Sequence, residues 1–276
     1  MNKHNIILMF EAINSNPNGD PDASNAPRTS SDGFGFVTDV CLKRKIRDYV
    51  AIVKKDVSPF GIFISKKNEY NKIIEENDKD SACKNFFDIR SFGGVLTRGG
   101  KKGRKVKTEE EVEEKVEEKN TTTDAICGPV QIGYAESFSP VEILEVSNTR
   151  TCAQGKEAGE NTFGHRSVVR YGLYSCLISV DSNRAGQTGF NDKDLEIMIE
   201  ALQNIFAYDK SSARPEMNVR GLWVVEHESE IGSQPEWKIK ESIKVTSKVE
   251  APKKFSDYTI EDNLSGMKNV KVTKVV

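Results

Sequence analysis

The sequence is poor in the residues that staple or ligate. Its five cysteines, Cys41, Cys83, Cys127, Cys152 and Cys176, are widely spaced and form no C-x-x-C pair. Its three histidines, His4, His165 and His227, stand at no metal-ligand spacing from them. Neither a structural zinc nor any other metal site is expected, and the unpaired thiols suit a reducing cytoplasm. Long hydrophobic runs are missing too. No stretch approaches the ~18 apolar residues of a membrane helix, and no charged segment followed by an apolar run opens the chain. Neither secretion nor membrane insertion is therefore expected. Charge of one sign is also missing: 40 basic residues against 42 acidic ones leave a net charge of −2. A protein that coats nucleic acid uniformly is excluded on that count, and any such surface must be local.

What is present suffices for a folded core. The 276 residues are 37% hydrophobic and 30% charged, enough for one elaborated domain or two small ones. Acidity is concentrated in Glu109 to Lys119, with seven glutamates and two lysines, directly after the basic run KKGRKVK. The rest of the chain is net basic, which keeps a nucleic-acid surface open.

Residues Asn5 to Ile13 (NIILMFEAI) read as a buried strand. The next stretch, Asn14 to Gly35, is almost all turn formers and too long for an ordinary connection. Thr38 caps an amphipathic helix whose apolar stripe is Leu42, Ile46, Tyr49, Val50 and Val53. Lys43, Arg44 and Arg47 fall on its remaining surface. On periodicity alone this is a solvated face, whose truncation should leave stability nearly unchanged. Residues 57–125 have weak patterning and read as an insertion. Strands follow at Pro129 to Tyr134, Val141 to Val146 and Gly172 to Val180, with a hairpin-like projection at Asn148 to Arg170. Asn191 caps a second helix with a stripe of Leu195, Met198, Ile199, Leu202, Ile205 and Phe206. Met217 to Val225 and Trp237 to Val245 complete the expected strands. Without the insertion the order is β, α, β, β, α, β, an α+β, ferredoxin-like arrangement shared with RNA recognition modules. No aromatic-rich RNP strand is present, so bases stacked on the sheet face are not expected.

Several segments in order carry a resemblance: NPNGDPDASNAPR (Asn16 to Arg28), VTDVCLKRKIRDYV (Val37 to Val50), GPVQIGYAESFSPVEI (Gly128 to Ile143), FGHRSVVRYGLY (Phe163 to Tyr174) and SSARPEMNVRGLWVVEHES (Ser211 to Ser229). Together they resemble the backbone proteins of type I-C CRISPR complexes, in the Cas-seven group of the RAMP superfamily. The resemblance implies a ferredoxin-like (RRM-like) palm with a helical finger insertion and a thumb hairpin. On this chain the palm would be residues 1–55, 126–140 and 171–276, the finger 56–125 and the thumb 141–170. It implies a non-enzymatic subunit without cofactors that polymerises along crRNA in the Cascade complex. Its partners would be the guide, target DNA through the guide, neighbouring copies and other Cascade subunits.

The resemblance also turns particular residues into candidate RNA contacts. Arg28, Lys43, Arg44 and Arg47 become phosphate contacts of the palm, since a guanidinium can grip phosphate through two parallel bonds. Asn14, Asn16, Asn18 and Gly19, just past the first strand, would meet phosphate or ribose, although a plain turn cluster needs the same residues. Arg150, Phe163, His165 and Arg166 would order phosphates and wedge between bases on the thumb. Phe163 to Arg166 stand where many relatives carry Met-Gly-Arg-Lys, so the wedging residue stays open. Arg214 joins as a lone arginine in the turn after the second helix. The rival reading is a metal-dependent RNA endonuclease like type III backbone subunits, using Asp20 or Asp22. No accompanying constellation to orient an attacking oxygen is legible beside them.

Overall fold

The computed structural model describes residues 1–98, 122–150 and 162–276. In chain order β1 (His4–Ser15) leads into a loop with two short strands, β2 (Gly19–Asp20) and β3 (Ala26–Pro27), then β4 (Phe34–Val37) and α1 (Asp39–Val53). Three short helices follow, α2 (Tyr70–Glu76), α3 (Lys79–Asn85) and α4 (Phe87–Phe92), then β5 (Gly93–Arg98), paired with β6 (Thr122–Cys127). Next come β7 (Val130–Ile132), β8 (Ala135–Pro140), β9 (Ile143–Arg150) and β10 (Thr162–Val180). Helices α5 (Ser182–Thr188) and α6 (Asp192–Gln203) precede β11 (Glu216–His227). The C-terminal part adds α7 (Glu236–Glu241), β12 (Ile243–Ser247), β13 (Tyr258–Asp262) and β14 (Val270–Lys274).

A mixed α/β architecture results, built on a central antiparallel sheet in the order β14-β11-β1-β10-β8-β4, with β7 and β9 also paired to β10. The apolar run of β1 has a direct cause: both its faces are buried. Ile6, Leu8, Phe10 and Ala12 face a core shared with Leu42, Ile46 and Val50 of α1 and Leu195, Met198 and Leu202 of α6. Ile7 and Met9 face a second core with Leu173, Trp223 and Val225. That second core is roofed by Ile239 of α7, Ile243 of β12, Tyr258 of β13 and Leu264.

Both long helices begin as the sequence predicts. The Thr38 hydroxyl accepts the Cys41 N–H at 3.4 Å. Asn191 and Asp194 form a reciprocal capping box. Residues 57–98 and 122–127 carry a small core of their own: Phe63, Ile74, Ala82, Cys83, Ile89, Leu96 and Ile126. Two buried ion pairs fasten it to the rest. Arg90 grips Asp194 of α6 bidentately, at 2.6 and 2.9 Å, and donates to the carbonyls of Cys83 and Pro59. Arg47 of α1 reaches Asp88 of α4 at 2.8 Å.

Three expectations are corrected. Trp237 to Val245 is not one strand: residues to Glu241 are helix α7, entered through Pro235 at the N-cap, and only Ile243 onward is strand. Its seeming alternation comes from Ile239, the one buried residue of α7, beside a Trp237 that is 63% exposed. The projection is also shorter than Asn148 to Arg170. β10 starts at Thr162, and Val168 and Val169 are already buried, so any hairpin separable from the core ends before them. Finally, the polar face of α1 is not uniformly solvated, since the Arg47 side chain is 11% exposed and Asp88 is fully buried. The charge block at residues 101–119 lies outside the described residues.

Candidate nucleic-acid interface

One end of the sheet gathers most of the sequence-predicted residues. There β1 stops, β11 starts and α1 begins, and the reason lies in the loop that follows β1. The Asn16 N–H donates to the Ala213 carbonyl at 2.7 Å, tying the loop to the turn before β11. The Asn18 carboxamide oxygen accepts from both the N–H and the hydroxyl of Thr38, each at 2.9 Å, and so clamps the loop onto the N-terminus of α1. Asn14 is exposed and left-handed (φ 45°), a conformation asparagine tolerates better than most residues. Gly19 packs so tightly on Asn25 that an added Cβ would lie 2.9 Å from the Asn25 carbonyl oxygen. A turn and a ligand loop need the same residue types here. The geometry shows that Asn16, Asn18 and Gly19 all serve the turn.

Cations collect around this loop. The Arg28 guanidinium pairs with Asp20 at 3.1 Å, and its backbone N–H donates to Asn18. Arg214 pairs with Asp209 at 2.9 Å, and the same carboxylate takes Lys45 of α1. Arg166 of β10 donates to the Ser212 carbonyl, bringing the base of the hairpin to the same turn. Burial pushes the Cys41 thiol up, and Lys45, Arg214 and Arg28 lie close enough to oppose that shift. Sequence reasoning missed Lys45 because it sits inside the apolar stripe, three residues after Leu42. Two buried atoms in the loop lack partners: the Asn16 carboxamide oxygen, an acceptor, and Arg28 Nε, a donor. Unsatisfied buried polar atoms are costly and concentrate where function needs them.

Other candidates stand apart. Along α1, Lys43 pairs with Asp39 at 2.9 Å and lies over the Phe92 ring, while Arg44 pairs with Asp48 at 2.9 Å at the surface. Arg47 stacks on Phe92 as well as pairing with Asp88, whose carboxylate also accepts the N–H groups of Phe63 and Ile64. Its guanidinium is thus spent on the short helices that follow α1. His165 bonds to Ser147 at 3.2 Å across the β9–β10 pair. Thr162 faces Arg150 and Phe163 faces Thr149 in that ladder, and the side chains of Arg150 and Phe163 lie outside the described residues.

Asp20 is occupied structurally. One carboxylate oxygen accepts the Asp22 N–H at 3.2 Å, capping a short 3-10 turn, and the other holds Arg28. Among the described residues no three His, Cys, Asp or Glu side chains are grouped to hold a metal ion. No helix among them is long and apolar enough to cross a membrane. Chemically, the sheet end offers guanidinium, ammonium and amide donors on a fixed frame, the set that binds phosphate and ribose oxygens.

The family described as CRISPR-associated protein Cas7 matches residues 2–263. A CRISPR-associated protein Cas7 of Haloferax volcanii is 26% identical over 219 residues, covering 71% of this chain and 62% of that protein. The chain thus spans less than two thirds of that relative's length. Among solved structures, a chain of a CRISPR RNA-guided surveillance complex, pre-nicking, aligns at TM-score 0.46 and 12% identity, over 81% of this chain and 78% of that one. A chain of the type III-B Cmr-beta bound to cognate target RNA aligns at TM-score 0.44 and 9% identity, over 82% and 61%.

Proposed function

The chain belongs to the Cas7 family of CRISPR-associated proteins, and from that premise we propose that it is an RNA-binding backbone subunit of a crRNA-guided surveillance complex. Several copies lie along one guide RNA, each gripping phosphate and ribose and leaving base edges free to pair with target DNA. One observation carries this reading: Asn14, Asn16, Asn18, Gly19, Arg28, Arg166 and Arg214, far apart in sequence, meet at one sheet end. The roof over β1 and β11 supports the same division of labour, because bases cannot stack on that part of the sheet.

The finer assignment is a type I-C Cascade subunit with a ferredoxin-like palm. The strand order β11-β1-β10-β8, with α1 and α6 on one face, supports the palm. Its parts are palm at 1–55, 126–140 and 171–276, finger at 56–125, and thumb at 141–170, whose projecting part ends before Val168 and in which Arg150, Phe163 or His165 wedges the guide. Neighbouring copies and other Cascade subunits are its partners in a cytoplasmic assembly, and the chain itself is not an enzyme. Asp20 serves the loop.

Gel filtration of the purified chain with co-expressed guide tests the proposal. RNA of discrete length in a high-mass peak supports it, and a chain that elutes free of RNA overturns it. Incubating the assembly with complementary RNA and magnesium or manganese tests the enzyme reading. Cleavage that vanishes in Asp20→Ala or Asp22→Ala would overturn the non-enzymatic assignment.

A further inference from the structure

Strict alternation along β11 would bury Arg220 under the helices, and an irregularity in the strand prevents it. Met217 and Val219 face the core beneath α1 and α6, and so do Leu222 and Val224, while Trp223 and Val225 face the second core. Odd positions thus face the helices before residue 220 and even positions after it. The ladder gives the cause: Met9 pairs with Gly221 and Phe10 with Val219, so Arg220 is the extra residue of a β-bulge. Its side chain emerges on the roofed face instead. Bulges re-aim side chains in this way, and they gather beside functional sites.

The re-aimed guanidinium is held from two directions. Glu11, fully buried on β1, approaches it at 2.6 Å, Oε1 to Nη2. The same carboxylate accepts from Asn218 Nδ2 at 3.0 Å and from the Tyr171 hydroxyl at 3.1 Å. Burial and the adjacent Glu11 push the Tyr171 phenol up, which keeps it a donor. Phe255, in the turn between β12 and β13, lies under the guanidinium at 4.9 Å. The carboxylate sets where the group points and the ring sets its plane. The Arg220 side chain is nevertheless 38% exposed. Replacing a buried ion pair by apolar side chains of similar volume is often neutral or stabilising, so stability alone gives no reason for a charge at Glu11.

The surroundings suit an anion. Lys253 and Lys254, just before Phe255, are exposed. Of the two acids in that turn, Asp257 is folded back onto the Lys253 N–H at 2.9 Å, and Glu250 stands three residues before Lys253. Glu11 is four residues, about 13 Å along the strand, from Ser15 and the loop that carries Asn16 and Arg28. A strand held at that loop and passing over the end of the sheet reaches Arg220 on the other face.

We infer that Arg220, with Lys253 and Lys254 beside it, forms a second phosphodiester-binding site on the roofed face, where Glu11 and Phe255 hold the guanidinium ready to grip phosphate. The inference rests on the proposed function for its ligand and adds a site outside the sequence-predicted residues. Two strands offer that chemistry, the guide and the DNA paired to it. Filter retention of a labelled single-stranded RNA by the purified full chain tests the first, and uptake of labelled complementary DNA by the guide-loaded assembly tests the second. Glu11→Gln with Arg220→Gln removes both charges together, so no buried carboxylate is left unpaired. Lys253→Gln with Lys254→Gln alters exposed positions only. If the site holds the guide, each pair should weaken RNA retention several-fold and make the log–log salt slope shallower by about 0.7 for each phosphate no longer neutralised. If it holds the paired strand, RNA retention should match wild type and DNA uptake should fall several-fold. Arg220→Lys keeps the charge and loses the fork, so it should recover the slope and only part of the affinity. Wild-type slopes and affinities in both arms overturn the inference, and a lowered melting temperature beside them would make the Glu11–Arg220 pair structural only. Arg28→Ala with Arg214→Ala is the reference: weakened RNA retention there, with the Arg220 and lysine variants unchanged in both arms, sinks this site and spares the proposed function. A wild-type chain that retains neither strand overturns both.

Discussion

Arg47 on α1 and Arg28 on the loop after β1 are equivalent as sequence, each a cation in a segment expected to face RNA, and the structure treats them in opposite ways. Arg47 is held between the Phe92 ring and a fully buried carboxylate that also accepts two backbone N–H groups. Arg28 is partly exposed, pairs with an equally accessible Asp20 and keeps one donor without a partner. One arginine fastens α4 to α1; the other has a donor left over. A basic helix face therefore cannot be equated with a binding face until the carboxylates that fold back onto it are located. Asp88 lies 41 residues after Arg47 and gives no sign of itself in the pattern of α1.

The difference should break most sharply where the fastening is deepest. Arg90→Ala leaves the buried Asp194 without its bidentate partner and should cost about 3–5 kcal/mol of stability, read by denaturant unfolding. Arg47→Ala should cost about 3 kcal/mol for the same reason, since Asp88 keeps its two N–H donors but loses its cation. RNA affinity per folded molecule should hardly change in either variant, and a thermally normal Arg47→Ala chain with weakened RNA binding would reverse the assignment. Arg28→Ala with Arg214→Ala should do the opposite. Binding should weaken in a salt titration, with the log–log slope shallower by about 0.7 for each phosphate that is no longer neutralised.

Two smaller effects sharpen the contrast. His227 accepts the Ser233 N–H on Nδ1, so its Nε2–H donates to Asn5, an arrangement that requires the neutral ring. Burial pushes both His227 and His4 below their ordinary value of 6.5. The unfolded chain therefore binds more protons between the depressed values and 6.5. Stability should be fully present above pH 6.5 and should fall as the pH drops through the depressed values, a loss that His227→Gln would lessen in thermal melts. Least of all, Arg44→Ala should change stability by no more than about 0.5 kcal/mol, because its pair with Asp48 is at the surface.

Legibility followed the range of the interactions. β1, α1 and α6 could be read because their signals are local: an apolar run, a Thr38 cap, an Asn191 cap ahead of an apolar stripe. The roof on the second face could not be read, since α7 contributes a single buried residue, Ile239, and β12 pairs only with β13. The sheet-end cluster was legible as a set of residues and illegible as an arrangement. Nothing local says that Asn16 meets Ala213, that Lys45 turns inward to Asp209, or that Phe36 stacks on Tyr134.

The unbroken course of β10 has a mechanical consequence. Its 19 residues, about 60 Å when extended, pair with β9 at one end and with β1 and β7 at the other. β10 runs without a break from Thr162 into its ladder with β1, so a load applied at Thr162 along the strand passes into that ladder as shear. Ladder bonds loaded in shear yield together rather than one at a time. Under tension along that axis β10 should behave as a stiff rod rather than a tether.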